Sequence, residues 1–288
     1  MTADIALGVI GGSGLYEMPG LEVSEEVDVD TPFGPPSDSY IVGSLGDRQL
    51  VFLPRHGRDH SLLPSELNFR ANIYGFKKLG VERLIAVSAV GSMKEDIHPC
   101  HVVLPDQFID RTRGRRDTFF GEGVVAHVAL ADPVCPKLHA ALSEAARTTE
   151  ATVWTGGTYL CMEGPAFSTR AESHLYRSWG VSVIGMTNIP EAKLAREAEM
   201  CYATLALVTD FDCWHETEEE VSVEMLLANL RRNAATAHSI IRALAESGPR
   251  ERHCECGSAL EKALVTQADA IPREARERLD IIIGKYLE

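Results

Sequence analysis

Two carboxylates two positions apart, Asp210 and Asp212 in Thr209-Asp210-Phe211-Asp212, follow an apolar run at Cys201–Val208. On extended chain, side chains two apart point the same way, so the pair would repel and one carboxyl would hold a proton near neutrality. A protonated carboxyl can hand its proton to a leaving base while its neighbour accepts from an amino group. Arg55-His56-Gly57 follows another short apolar run. An arginine fork beside a histidine donor suits phosphate. Gly11-Gly12-Ser13-Gly14 and Ser88-Ala89-Val90-Gly91-Ser92 bring small residues and hydroxyls, which let backbone N–H groups approach an anion. Met186-Thr187-Asn188 adds a thioether that can cover a flat ring or a ribose face, and a hydroxyl donor. Singly, each stretch also has a plain structural reading: a tight turn, a salt-bridged arginine beside a core histidine, a strand-to-helix turn, a core methionine, a helix cap. Together they describe phosphate attacking a sugar carbon while an acid helps a base depart.

These residues need elements to hold them. Apolar runs predict strands over Ile5–Ile10, Ser24–Val29, Ser39–Val42, Gln49–Leu53, Arg83–Val87, Val102–Leu104, Thr152–Cys161, Val181–Met186 and Cys201–Val208. Helical periodicity falls over Glu66–Leu79, Pro136–Thr149, Thr169–Trp179, Pro190–Glu199 and Val221–Glu246, with a last helix near Gly257–Ala268 or beyond. Asp106–Arg116 reads as a polar loop. Alternating strands and helices predict an α/β fold, a three-layer α/β/α sandwich on a mixed, largely parallel sheet. In such sheets ligands gather at the carboxyl ends of strands, where all five motifs lie. Residues 1–246 are read as the catalytic domain. Residues 247–288 are read as a C-terminal tail with a helix, packed on the same domain.

Composition narrows the function. The chain has 288 residues, 45% apolar and 24% charged, with a net charge of −14. That balance argues against a general nucleic-acid surface, which needs a cationic face. No apolar stretch reaches membrane-spanning length, and Met1–Ala6 does not open a signal peptide. Seven cysteines read as cytosolic thiols, which predicts a cytoplasmic protein. No glycine stands three residues after Gly14 and no ribose-binding acid is evident further on, so a dinucleotide-binding oxidoreductase is excluded.

The stretches IGGSGLY, DTPFGPPSD, RHGRDHSLLPSELNFRANI, SAVGSM, PDQFIDRT, MEGPAFSTRAES, MTNIPEAKLAREAEMCYA and TDFDCW resemble the trimeric family of purine nucleoside phosphorylases, over about Ile5 to Ile241. The resemblance implies that Ser13, Arg55, His56, Ser88, Ala89 and Thr187 hold phosphate. It places Met186 against the ribose and Phe167 beside the purine. Asp210 would donate the proton to N7, with Asp212 reading the exocyclic amine. Val223 and Leu226 would line the 5'-pocket, and His127 would reach a neighbouring subunit's site, which implies a homotrimer, in some relatives paired into a hexamer. No metal or organic cofactor is implied, inorganic phosphate being a co-substrate. Ser13 and Ser88 stand where many relatives have Thr, which keeps the hydroxyl; Asn188 is a departure with no reading from sequence.

Within that family, two positions point to 5'-methylthioadenosine. A carboxylate at 210 facing a 6-oxo group opposes two acceptors, at a cost of about 1–3 kcal/mol, whereas an amino group satisfies it. The 6-oxopurine relatives also usually carry Glu where Ser168 stands, and use His for the 5'-hydroxyl where Val223 stands. A valine can bury a thioether methyl instead, worth roughly 1–2 kcal/mol. Other purine nucleosides, or nucleoside binding without catalysis, are the alternatives. Cys254 and Cys256 form a CxC that resembles a disulfide in some thermostable archaeal relatives. Here they are read as free thiols in a tail without four metal ligands, and Cys100, Cys135, Cys161, Cys201 and Cys213 as packing residues. The acidic run Glu216–Glu220 reads as a solvated loop or a lid.

Overall fold

The structure is a computed structural model that describes residues 5–12, 14–215 and 223–287. Ser13, Glu216–Glu220 and the side chains of Val223 and Leu226 lie outside what it describes. The chain opens with β1 (Ile5–Gly11), β2 (Glu22–Val27), β3 (Tyr40–Leu45), β4 (Arg48–Pro54), α1 (Phe69–Lys78), β5 (Arg83–Ser92), β6 (Val102–Leu104) and β7 (Gln107–Arg111). It continues with α2 (Pro136–Arg147), β8 (Val153–Thr155), β9 (Thr158–Met162), α3 (Arg170–Ser178), β10 (Val183–Gly185), α4 (Asn188–Glu197), β11 (Cys201–Asp210), α5 (Val223–Ser247) and α6 (Arg273–Ile283). Among the described residues, no helix is long and apolar enough to cross a membrane.

One mixed sheet of 11 strands carries the fold, with its path β2-β3-β4-β1-β5-β10-β9-β7 branching where β11 pairs with β5. β5 is the hub: β1 and β11 run parallel to it, and its last residues pair antiparallel with β10. Alternate residues of β5 enter opposite cores. Leu84, Ala86 and Val90 face one apolar cluster; Ile85 and Val87 face the other. Residues of α1, α4 and α6 fill the first cluster, and those of α2 and α5 the second, so the sheet lies between two helical layers. Leu260, Ile271, Leu279 and Ile283 of the C-terminal segment are buried in the first cluster.

Several elements differ from the sequence reading, for local reasons. β5 runs on through Ser92, so Ser88–Ser92 is strand rather than turn. The Thr152–Cys161 run breaks into β8 and β9 at Gly156 and Gly157, both with positive φ. The expected loop at Asp106–Arg116 contains β7, an edge strand whose polar side chains mask its pairing with β9. The α1 helix starts at Phe69 rather than Glu66, because Asn68 Oδ1 caps it by accepting from Ala71 N–H. The last helix lies beyond Ala268; Glu255–Ser258 is a short 3-10 turn.

Candidate functional site

A cavity of about 460 Å³ opens at the carboxyl ends of β1, β4, β5, β10 and β11. Its size suits a small ligand. Arg55, His56, Ser88, Ala89, Met186, Thr187, Phe167, Asp210 and Asp212 all line it, so these expected residues come together. Ser168 does not line it; its hydroxyl lies against Met162 Sδ at 3.8 Å. His127 is exposed and away from this chain's cavity, its N–H donating to Ala263 O at 2.9 Å.

The anion end is built by the parallel strands β4 and β5. Ser88 Oγ lies 3.3 Å from Thr187 Oγ1 and 3.1 Å from the Tyr159 hydroxyl, all three buried. Thr187 precedes α4 without using its hydroxyl as a helix cap. Arg55 is 2% exposed, and its fork is turned to a carboxylate. Its Nε and Nη2 donate to Glu191 at 2.5 and 3.1 Å, Nη2 also to Ile10 O at 3.2 Å, and Nη1 to Val87 O at 2.9 Å. The expectation of a bidentate arginine grip on phosphate therefore needs correction: the two-pronged face belongs to Glu191, leaving one Nη1 hydrogen unassigned. Burial disfavours the guanidinium charge, but Glu191 outweighs that and raises Arg55 above its ordinary value.

His56 Nδ1 lies 2.8 Å from Leu62 O, which can only accept, so the ring nitrogen there carries the hydrogen. Burial first, and Arg55 second, push the ring down to about 4, so it is neutral at pH 7. Its Nε2 is then an acceptor rather than the expected donor. His60 stacks on it with ring centroids 4.7 Å apart.

At the opposite wall, the β11 ladder with β5 shifts register between Val208 and Asp210, which re-aims the strand end. Asp210 Oδ2 accepts from Thr209 Oγ1 at 2.6 Å and its Oδ1 from Asp212 N–H at 3.0 Å. A Cβ at Gly91 would stand 3.0 Å from Asp210 Oδ1 and 3.4 Å from Asp212 Cβ, so a side chain there would crowd the pair. Asp212 has φ 22°, so the two acids do not share the extended backbone assumed from their spacing. Burial raises the Asp212 carboxyl above its ordinary value, and Ser173 Oγ, donating at 2.6 Å, works against the rise.

Further residues complete the site. Buried Glu191 also accepts from the Tyr202 hydroxyl at 3.1 Å. Asn188, unexplained from sequence, is fully buried and donates to Tyr202 and Thr204 hydroxyls at 2.9 and 2.5 Å, which ties the Met186–Thr187 turn to β11. Arg115 donates to Met186 O, Ile189 O and Glu163 O and pairs with Glu163, which clamps both loops that cover the cavity. For Glu191 a signal existed: Leu194 and Ala195, at i+3 and i+4, mark its helix face as apolar. Arg115, in a run of polar residues, gave none.

Known proteins resemble this chain in sequence and fold. A family model described as the phosphorylase superfamily matches residues 6–246. The chain is 63% identical to an S-methyl-5'-thioadenosine phosphorylase of Geobacter sulfurreducens, over 98% of this chain and 99% of that one. It is 57% identical to the protein of the same name from Koribacter versatilis, over 97% and 96%. Among solved structures, a methylthioadenosine phosphorylase from an antarctic soil metagenomic library superposes with a TM-score of 0.92 at 46% identity, over 98% of this chain and 99% of that chain. A Schistosoma mansoni adenosine/methylthioadenosine phosphorylase variant solved with methylthioadenosine gives 0.79 at 36% identity, over 86% and 93%.

Proposed function

The chain belongs to the phosphorylase superfamily, and from that membership we propose that it cleaves 5'-methylthioadenosine with inorganic phosphate, giving adenine and 5-methylthioribose 1-phosphate. The observation that carries the reading is one cavity with Ser88 and Thr187 hydroxyls at one end and Asp210 and Asp212 at the other.

In the reaction the C1'–N9 bond breaks and its electron pair passes to adenine. A phosphate oxygen forms the new bond to C1', and a proton reaches N7. Ser88, Thr187, Ala89 N–H and the Ser13 loop hold phosphate beneath the sugar, while Arg55, fixed by Glu191, supplies positive charge and its remaining hydrogen. A neutral His56 accepts the hydrogen of a P–OH through Nε2, which selects hydrogenphosphate. Met186 covers the ribose and Phe167 flanks the purine. Asp210 delivers the proton to N7 and Asp212 accepts from the exocyclic amine. The family resemblance assigns the methylthio pocket to Val223 and Leu226. Fixed donors and a positioned acid stabilise the oxocarbenium-like transition state without reorganising. His127, exposed here, completes the site of a neighbouring subunit in a homotrimer, and two such trimers can pair. A cytoplasmic place in purine and methionine salvage fits the substrate.

The test is release of adenine from methylthioadenosine, adenosine and inosine, with and without phosphate. Phosphate-dependent turnover ordered methylthioadenosine first and inosine last is expected. Release without phosphate, or preference for inosine, overturns the reading.

A further inference from the structure

The CxC segment is not a loose tail. Cys254 and Cys256 meet Cys135 and Cys201, and the four Sγ atoms all lie within 4.8 Å of one another. The thiols are free, as expected, but they are neither in a loose tail nor separate packing residues. Cys135 and Cys256 are buried, as is Cys201, and Cys254 is half-buried. The four residues come from three places. Cys135 precedes Pro136 at the start of α2, Cys201 begins β11, and a backbone bond from Cys135 N–H to Tyr202 O, 2.9 Å, fixes the first two together. Cys254 has extended backbone, φ −151° and ψ 165°, and leads into the 3-10 turn that holds Cys256. Arg252, donating to Glu199 O at 2.8 Å, and Leu260 N–H, donating to Glu199 Oε1 at 3.0 Å, pin that turn on both sides.

We propose that Cys135, Cys201, Cys254 and Cys256 form a structural tetrathiolate site for one Zn²⁺. Tetrahedral sulfur donors select zinc over hard cations. At a Zn–S length of about 2.3 Å, sulfurs in a regular tetrahedron stand ~3.8 Å apart, so no pair needs to change its separation by more than about 1 Å. Cys201 and Cys254 sulfurs stand at 3.3 Å and would open slightly, pairs near the 4.8 Å limit would close, and all the cysteines are unbonded. Zinc entry releases the thiol protons to solvent and leaves a dianionic centre. The adjoining cavity wall is suited to that charge, with Arg48, Arg83, Arg252 and Lys137 against one carboxylate, Glu251. The buried Arg48 Nε has no partner among the described residues. The α2 N-terminus, at Cys135, favours a thiolate as well.

The site is remote from the reaction. Cys201 and Asp210 are opposite ends of β11, which at strand rise separates them by about 30 Å. The metal therefore fastens the C-terminal segment to the sheet and takes no part in catalysis.

The experiment is elemental analysis of the purified full chain, paired with intact mass after denaturation and alkylation without reductant. One zinc per chain with every cysteine alkylated is expected. Absence of zinc overturns the proposal, whether the thiols are free or the mass shows disulfides. The Cys254→Ser, Cys256→Ser double variant is expected to lose zinc and melt on the order of 10 °C lower, with kcat/KM within about twofold of the parent below the transition. Retention of a full zinc equivalent by that variant also overturns it. Should the variant not fold, the metal and mass analysis of the parent chain decides alone.

Discussion

Arg55 shows how a residue type can be read from sequence while the partner that holds it stays hidden. Its fork faces the Glu191 carboxylate, and both groups are buried. Removing one member of a buried pair leaves an uncompensated charge, at about 3–5 kcal/mol. Glu191→Leu is therefore expected to lower unfolding free energy by that amount in urea titration and to raise KM for phosphate; a loss under about 1 kcal/mol would contradict the pairing. His56 carries a separate prediction. Its folded pKa lies near 4, below the ordinary 6.5, so the unfolded chain binds the extra proton first. Its contribution to stability is present above pH 6.5 and is lost as pH falls towards 4. His56→Gln should flatten melting temperature against pH in that window relative to the parent. Because Nε2 accepts, sulfate, which brings no hydrogen at neutral pH, should inhibit more weakly than phosphate binds; equal affinities in competition would count against the assigned tautomer. Asp210→Asn should lower kcat on methylthioadenosine by about 10²–10⁴ with little change in KM.

At the scale of elements, α3 matters as the carrier of Ser173. Its start is fixed by a capping box between Thr169 and Glu172, which sets the rotation that aims Ser173 at Asp212. Ser173→Ala removes a bond that lowers the Asp212 pKa, so the group should titrate higher and the limb of the pH–rate profile that reports it should move upward. An unmoved profile would detach Asp212 from the rate. The strand ends were legible because apolar runs stop abruptly at polar motifs, as at Val208 before Thr209-Asp210. The cavity's own residues, Arg55, Ser88, Thr187 and Asp210, were found that way. Their supports were not. Arg115, Ser173 and Glu191 act across sequence gaps of tens of residues, for instance 136 between Arg55 and Glu191, and no local pattern encodes such a pairing. The β7 strand was missed because three of its five residues, Gln107, Asp110 and Arg111, are polar and leave only Phe108 and Ile109 as an apolar signal, and Asp212 was misread because a positive φ replaced the extended backbone its spacing assumed.

For the whole molecule, the proposed homotrimer makes a prediction about mixed copies. If His127 serves a neighbour, a chain carrying His127→Ala and one carrying Asp210→Asn are each impaired, yet mixed assemblies hold intact sites. Co-refolding the two should restore activity above either alone; no recovery in assemblies shown to be mixed would remove His127 from the site. The segment that presents His127 is itself held from the far end of the chain. Ala126 bridges Leu264, His127 N–H donates to Ala263 O, and Val125 N–H donates to Thr266 Oγ1. A protein cut short after Ser247 would thus keep every cavity-lining residue of its own but lose the scaffold of what it offers others. Such a chain would make an adequate host and a poor donor, and in a mixed population its defect would surface in its companions.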